Sequence, residues 1–264
     1  MKRALLLLSL LAVPYVLTYY MAEAAPSTDT ASADTVTTTV SPLNKLRQYC
    51  GYSDKDFKIF RAGYEGDTIT LESLKDKKHI GFYCQGAAAA GNKVLVLRCL
   101  DKGADPNWGI DGAAYGGHVE IVELMLSKGA DPNWGLEAAA EGGHLDIAWL
   151  MLSKGADPNY GLEAAAEGGH MEIVQLMLSK GATDYDWGLE AAAENGHMEI
   201  VQFLLSKGAN PNYGLWEAAA AGHEDIVQLL LEKGATLHLD AALDAAMING
   251  HTECAKLILE AMTK

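Results

Sequence analysis

The chain has 264 residues, of which 49% are apolar and 21% are charged, a composition that is normal for a soluble protein. Its formal charge is −15, and the negative excess lies in one part, because there are 8 Lys and Arg against 26 Asp and Glu from Asp101 onward. This charge repels phosphate backbones and favours a basic partner, so we expect no nucleic-acid partner. Solubility of a long exposed surface would also explain the acidic excess.

Residues 1–24 have the pattern of a secretory signal peptide. Met1 to Arg3 form a basic n-region, an apolar run follows, and Ala22-Glu23-Ala24 fits a small-x-small cleavage site. We therefore predict cleavage near Ala24 and a secreted or periplasmic protein. The alternative is an uncleaved membrane anchor over residues 4–21, a run just long enough to span a bilayer. Beyond this N-terminal segment we expect no contact with a membrane.

Two further segments precede the regular part of the chain. Residues 25–42 are rich in Thr, Ser, Ala and Asp, which predicts a disordered linker. Residues 43–81 predict a degenerate capping repeat, in which a helix around Phe57 to Ala62 is followed by a Gly66-Asp67 turn and a second helix. We expect the lysine-rich stretch 75–78 to end that second helix.

Residues 82–264 repeat a phrase of about 26 residues, for which Gly129 to Lys154 is the reference copy. Gly103, Gly129, Gly155, Gly181, Gly208 and Gly234 each open a copy. A fixed period of this length is the signature of a solenoid, in which each unit shelters the apolar face of its neighbour.

Each copy predicts two helices. Leu136 to Glu141 consists of strong helix formers, and Gly142-Gly143 ends the first helix because glycine adopts the left-handed conformation without a Cβ penalty. A second helix starts at His144 and ends at Gly155. An Asn or Asp always precedes an aromatic residue after the Asp-Pro turn, and we expect it to cap the first helix. These predicted caps are Asn107, Asn133, Asn159, Asp186 and Asn212.

The residues of this phrase resemble ankyrin repeats. The resemblance rests on Leu136 to Ala140, Gly143-His144, Ile147 with Leu150 to Leu152, and Gly155-Ala156. The Gly-His pair recurs as Gly117-His118, Gly169-His170, Gly196-His197, Gly222-His223 and Gly250-His251. The resemblance implies an all-α solenoid of stacked helix-turn-helix repeats that binds proteins without a cofactor and without enzyme activity.

The phrase departs from that family in two ways. Its period is seven residues short of the family's 33, and the missing residues lie where ankyrins carry a β-hairpin finger. Trp-Gly or Tyr-Gly also replaces Thr-Pro. We therefore expect the helical surface to make contacts that fingertips make elsewhere. A leucine-rich repeat is the rival, since Ile121, Leu124 and Leu126 fit its strand, but Gly129 stands where that family has Asn or Cys.

One surface of the repeats is a candidate binding site. Its aromatic column comprises Trp108, Trp134, Tyr160, Trp187 and Tyr213, and its acidic line comprises Asp111, Glu137, Glu163 and Glu190. Rings that pointed inward would replace lost hairpin packing, whereas rings that pointed outward would form an apolar ladder of the kind enriched at interfaces. In ankyrins the matching acidic position faces the concave side, so our hypothesis is a groove for a basic, extended protein. A glycan or small ligand bound to the aromatic ladder is the alternative.

Other chemistry is not supported by the residues. The Gly-His histidines recur one helix diameter apart and cannot share a zinc ion, and one Asp-Pro-Asn turn supplies too few oxygens for calcium. We found no phosphate loop, nucleophile elbow or His-Glu-x-x-His motif. We therefore expect no catalytic residue, metal or cofactor, and a monomer.

Three of the four cysteines occupy core positions of the repeat: Cys84, Cys99 and Cys254. Cys254 lies several units from the others, beyond the reach of a disulfide. At most one intrachain disulfide is therefore expected, among Cys50, Cys84 and Cys99. We select Cys50–Cys84, which would join the cap to the first full unit.

Overall fold

The structure is a computed structural model that describes residues 52–263, and every regular element in that range is helical. Sixteen α-helices follow one another as eight pairs: α1 Asp54–Glu65, α2 Thr68–Ser73, α3 Lys77–Ala89, α4 Lys93–Asp101, α5 Pro106–Tyr115, α6 Val119–Ser127, α7 Pro132–Gly142, α8 Leu145–Ser153, α9 Asn159–Glu167, α10 Met171–Ser179, α11 Tyr185–Glu194, α12 Met198–Ser206, α13 Leu215–Ala221, α14 Glu224–Glu232, α15 Leu239–Ile248 and α16 Thr252–Met262. A 3₁₀ turn, Pro211–Tyr213, precedes α13. This order confirms the all-α solenoid and argues against the strand-lined rival. The predicted signal segment and linker lie outside the described residues.

The turn inside each pair forms as the glycines predict. Helix α7 ends at Gly142, and Gly143 takes a left-handed backbone conformation with φ 78°. That conformation is open to glycine without a Cβ penalty. The His144 amide donates a hydrogen bond back to the Ala139 carbonyl (2.8 Å), and α8 begins at the next residue.

The predicted helix caps were wrong. The cap of α7 is Asp131, whose side chain accepts a hydrogen bond from the Asn133 amide (2.9 Å), so the helix begins two residues earlier than expected. Proline at the first helical position fixes a suitable φ and needs no amide partner, which makes the preceding Asp the cap. Asn107, Asn159, Asp186 and Asn212 likewise do not act as the caps of their helices.

The first two units show where the capping repeat differs from the prediction. Gly66 is left-handed, and Asp67 caps α2, as the Gly66-Asp67 pattern indicated. The lysine-rich stretch does not end α2, however. Asp76 accepts from the Lys78 amide (2.9 Å) and caps α3, so the lysines open the next unit and α3 runs across the expected boundary at 81/82.

The core is continuous along the stack, and its two sides differ. First helices contribute Leu and Ala and contact one another closely: a Cβ added at Gly112 of α5 would lie 2.1 Å from the Gln85 carbonyl oxygen of α3. Second helices carry bulkier Ile, Val, Leu and Met and contact one another much less.

Three cysteines lie in this core as predicted, because Cys84, Cys99 and Cys254 are all fully buried. The Cys84 thiol is free in this structure. A hydrogen bond with Cys99 and burial raise the pKa of Cys84. Its predicted partner Cys50 lies outside the described residues, so the Cys50–Cys84 disulfide stays a prediction. Within 52–263, every helix is too short or insufficiently apolar to cross a membrane.

Candidate functional site

Each central first helix presents the same stripe of three side chains. In α7 these are Trp134, Glu137 and Glu141, which are spaced i, i+3 and i+7 and therefore lie on one side of the helix. Helix α9 repeats them as Tyr160, Glu163 and Glu167, and α11 as Trp187, Glu190 and Glu194. We call the surface made by these nine residues the first-helix face.

The aromatic side chains of the first-helix face point to solvent. Trp134 is 45% exposed, Tyr160 54% and Trp187 53%, and Tyr213 continues the column at 42%. These rings therefore do not simply replace the packing of the missing hairpin. Some neighbouring rings of the column contact each other: Trp187 and Tyr213 pack edge to face, with 6.2 Å between their centroids.

Trp108, at the start of the aromatic column, differs from the others. It is only partly exposed and packs against the core, and its ring lies edge-on to Phe82 at 5.0 Å and to Trp134 at 6.4 Å. The column therefore changes from a packing role at Trp108 to an open surface at Trp134.

The glutamates of the first-helix face are held close enough to influence one another. Partial burial raises the pKa of Glu137, and the charge of Glu163 raises it further. Burial and the nearby Glu163 and Glu194 likewise raise the pKa of Glu190. Glu137, Glu163, Glu167, Glu190 and Glu194 take part in none of the ion pairs between side chains of residues 52–263. These five carboxylates therefore concentrate negative charge on the first-helix face.

The acidic line does not extend to Asp111, which the sequence placed in it. Asp111 is only 8% exposed and accepts a hydrogen bond from the Gln85 side chain, which in turn accepts one from the Tyr52 hydroxyl. Tyr52 also packs on Phe82 at 4.6 Å. The N-terminal end of the acidic line is thus covered by the chain itself, and its exposed carboxylates begin at Glu137.

The opposite end of the acidic line changes chemistry. Trp216 of α13 occupies the position of Glu137 and Glu190, counted back from the Gly-His pair, and it is 46% exposed. Glu217 follows at a position that holds alanine in α7, α9 and α11. Burial, together with the charges of Glu190 and Glu194, raises the pKa of Glu217 to about 7.

Two rows of hydrogen bonds between repeats hold this surface in register, and sequence reasoning missed both. The Nε2–H of His144 donates to the Tyr115 carbonyl oxygen of the preceding repeat (2.9 Å). Four other histidines each donate to a backbone carbonyl oxygen of their own preceding repeat: His118, His170, His197 and His223. Asn133 Oδ1 accepts from the Asp157 amide of the following repeat (2.8 Å). Because the histidine rings and the Asn side-chain oxygens are hydrogen-bonded to the backbone of neighbouring repeats, the repeated His and Asn have structural roles.

One exposed side chain breaks the repeat on the other side of the molecule. Trp149 of α8 stands where α10 and α12 have glutamine, and the Lys180 ammonium lies 4.1 Å above its ring. It lines a shallow cleft of about 260 Å³ with Pro158 and Lys180. No three His, Cys, Asp or Glu side chains in residues 52–263 are grouped so that they could hold a metal ion.

Paired helices, left-handed glycines and backbone-bonded histidines that recur at one period define a helical repeat protein. Comparison with known proteins agrees with the motif: a family model described as ankyrin repeats (3 copies) matches residues 136–214 and 189–264, and one described as ankyrin repeat matches residues 112–134. Together they cover more than half of the chain. The chain belongs to the ankyrin repeat family.

Solved structures support the same fold. The human ASB11 ankyrin repeat domain is similar with a TM-score of 0.51 and 22% sequence identity, over 67% of this chain and 96% of that one. At this identity the likeness concerns the fold. A search of curated proteins found no match.

Proposed function

We propose that this chain is a non-enzymatic scaffold that binds a basic, extended segment of a partner protein along its first-helix face. Ankyrin repeats generally mediate protein–protein interaction and are typically non-enzymatic. The observation that supports this particular surface is the stripe of one exposed aromatic ring and two carboxylates per repeat, as in Trp134, Glu137 and Glu141. The N-terminal signal pattern supports a secreted or periplasmic location for the complex.

Electrostatics favours a cationic ligand at this surface. The pKa values of Glu137, Glu163 and Glu190 are raised by burial and by neighbouring acids, so each carboxylate gains when a positive charge lies close to it. Exposed Trp and Tyr rings add flat apolar area and can accept the cation of Lys or Arg on their faces. Both features suit Lys- and Arg-rich segments.

The chain offers matched controls for testing the face. A library of Lys- and Arg-rich peptides is screened for binding, and the peptides that bind are titrated against Trp134→Ala and Glu163→Lys. The control variants Trp149→Ala and Glu172→Lys change the same residue types on second helices. We expect at least a tenfold loss of affinity for the first two variants and less than a twofold change for the controls. An equal change of peptide affinity in all four variants would contradict the proposal.

The exposed aromatic rings also favour a second candidate, a glycan that stacks on the ladder. A glycan array probed in parallel separates the two ligands. Glycan binding that requires Trp134 and Trp187 but is insensitive to Glu163→Lys would replace the peptide proposal with this one.

A further inference from the structure

The first-helix face has a spacing that selects among basic partners. Glu137, Glu163 and Glu190 stand at equivalent places in three consecutive first helices, so their separation along the stack is set by the packing of those helices. Helices that pack directly on one another lie about 8–10 Å apart, and small Ala and Gly residues at the contact favour the lower part of that range. One carboxylate position therefore recurs about every 9 Å.

The conformation of a bound peptide decides whether its side chains can follow this spacing. A polyproline II helix has three residues per turn and rises about 3.1 Å per residue, so side chains three residues apart point the same way about 9 Å apart. A β-strand alternates its side chains with a period of two, so every third residue faces the opposite side. Only the first geometry places one cation against each repeat.

The ends of the face limit the length of the basic stretch. Asp111 is covered through Gln85 and Tyr52, and Trp216 replaces the next glutamate after Glu190. Three carboxylate positions, of which Glu137 and Glu163 are exposed and Glu190 is half-buried, are therefore followed by one exposed indole. A second row made by Glu167 and Glu194 lies one helical turn away, so a peptide that runs along the stack has carboxylates on both sides.

We infer that the partner segment is a polyproline II peptide with Lys or Arg at three positions spaced three residues apart, and an apolar or aromatic residue at the next such position against Trp216. The inference rests on the proposed function and specifies its ligand. Each cation lies between the two acidic rows, and the remaining peptide residues contact the rings of Trp134, Tyr160 and Trp187.

Synthetic peptides of one composition test the spacing with the full chain. The first is a proline-rich peptide with arginine at every third position, three in all, and tryptophan three residues further on, and the second has the reversed sequence. The control has the same residues with arginine at alternate positions. Calorimetric titration at about 50 mM salt should show at least one of the first two binding tenfold or more tighter than the control.

The outcomes separate the two proposals. Tight but equal binding of all three peptides overturns the inferred spacing and leaves the proposed function standing, whereas no binding of any peptide contradicts both. Glu163→Gln should weaken the period-three peptide at least threefold, because it removes the middle carboxylate. Glu172→Gln on α10 is the matched control and should leave the affinity unchanged. An equal effect of the two substitutions also overturns the inference.

Discussion

The side chain of Asn133 joins its repeat to the next one, since its Oδ1 accepts a hydrogen bond from the Asp157 amide at 2.8 Å. Asn107, Asn159, Asp186 and Asn212 make the equivalent bond. The acceptor sits in the first turn of one helix and the donor just before the first helix of the following repeat. This bond therefore fixes where each first helix starts relative to its neighbour, and with it the spacing of the first-helix face.

Asn133→Ala should destabilise the stack because the Asp157 amide loses its acceptor. The expected loss is about 1 kcal/mol, which for a domain of this size lowers Tm by about 2–4 °C. Asn133→Asp is the control: Asp186 makes the same bond at 2.7 Å in its own repeat, so an aspartate retains the acceptor. Thermal unfolding followed by circular dichroism measures both, and equal Tm values for the two variants would show that the bond does not matter.

His144→Ala should cost about 2 kcal/mol, or roughly 4–8 °C in Tm, because it removes a hydrogen bond to Tyr115 and the ring that covers Gly117. His144→Asn distinguishes a helix-capping role of His144 from its role as a hydrogen-bond donor to the preceding repeat. Asn92 occupies the same position and caps α4 through the Leu95 amide (3.2 Å), so asparagine can supply a cap but is too short to reach the preceding repeat. Recovery of stability in His144→Asn would contradict the inter-repeat role.

The helix and turn inside each repeat were predictable from the sequence, and the hydrogen bonds between repeats were not. The helix over Leu136 to Glu141 and the left-handed Gly143 depend on propensity and backbone geometry within a few residues. The role of Asn133 depends on an amide 24 residues further on, so we assigned the residue to a cap. Its recurrence at one position of every repeat was the available signal.

The candidate site shows the same division. The sequence pattern correctly places the acidic line beside the aromatic column, as at Trp134 and Glu137. Whether the rings faced inward depends on which side of the helix the neighbouring repeat covers, and this the periodic pattern leaves open. The burial of Asp111 depends on Gln85 and on Tyr52, a residue from the irregular N-terminal unit, so no repeat-based reasoning could have found it.

Glu217 should make stability fall as pH rises. Its pKa is raised to about 7 by burial and by Glu190 and Glu194, and its buried Oε2 has no hydrogen-bond partner within the described residues. The folded state therefore binds this proton more tightly than the unfolded chain does. Stability from this group is fully present below the unfolded pKa, near 4.5, and is lost as pH rises through about 7.

Glu217→Ala restores the residue found at this position in α7, α9 and α11 and removes that dependence. Allowing for solvent screening of a side chain that stays partly exposed, the gain at pH 8 is about 1–2 kcal/mol, with a much smaller gain at pH 4. Urea unfolding at both pH values measures it. Glu199→Gln, an exposed substitution on α12, is the control and should change little. An equal effect of Glu217→Ala at the two pH values would refute the linkage.

Gly112→Ala tests how closely the first helices approach. Alanine favours an isolated helix over glycine by about 1 kcal/mol, so propensity alone predicts stabilisation. The new Cβ would lie 2.1 Å from the Gln85 carbonyl oxygen, which belongs to the backbone of α3 and cannot rotate away. Overpacking of this kind costs about 1–3 kcal/mol or more, so we expect net destabilisation.

Ala138→Gly in α7 reverses the substitution at the equivalent position, where the helices already accommodate a Cβ. It should also destabilise, by about 1 kcal/mol through propensity. Because the two opposite substitutions are both expected to lower Tm, a higher Tm for Gly112→Ala would show that α3 and α5 are not in backbone contact.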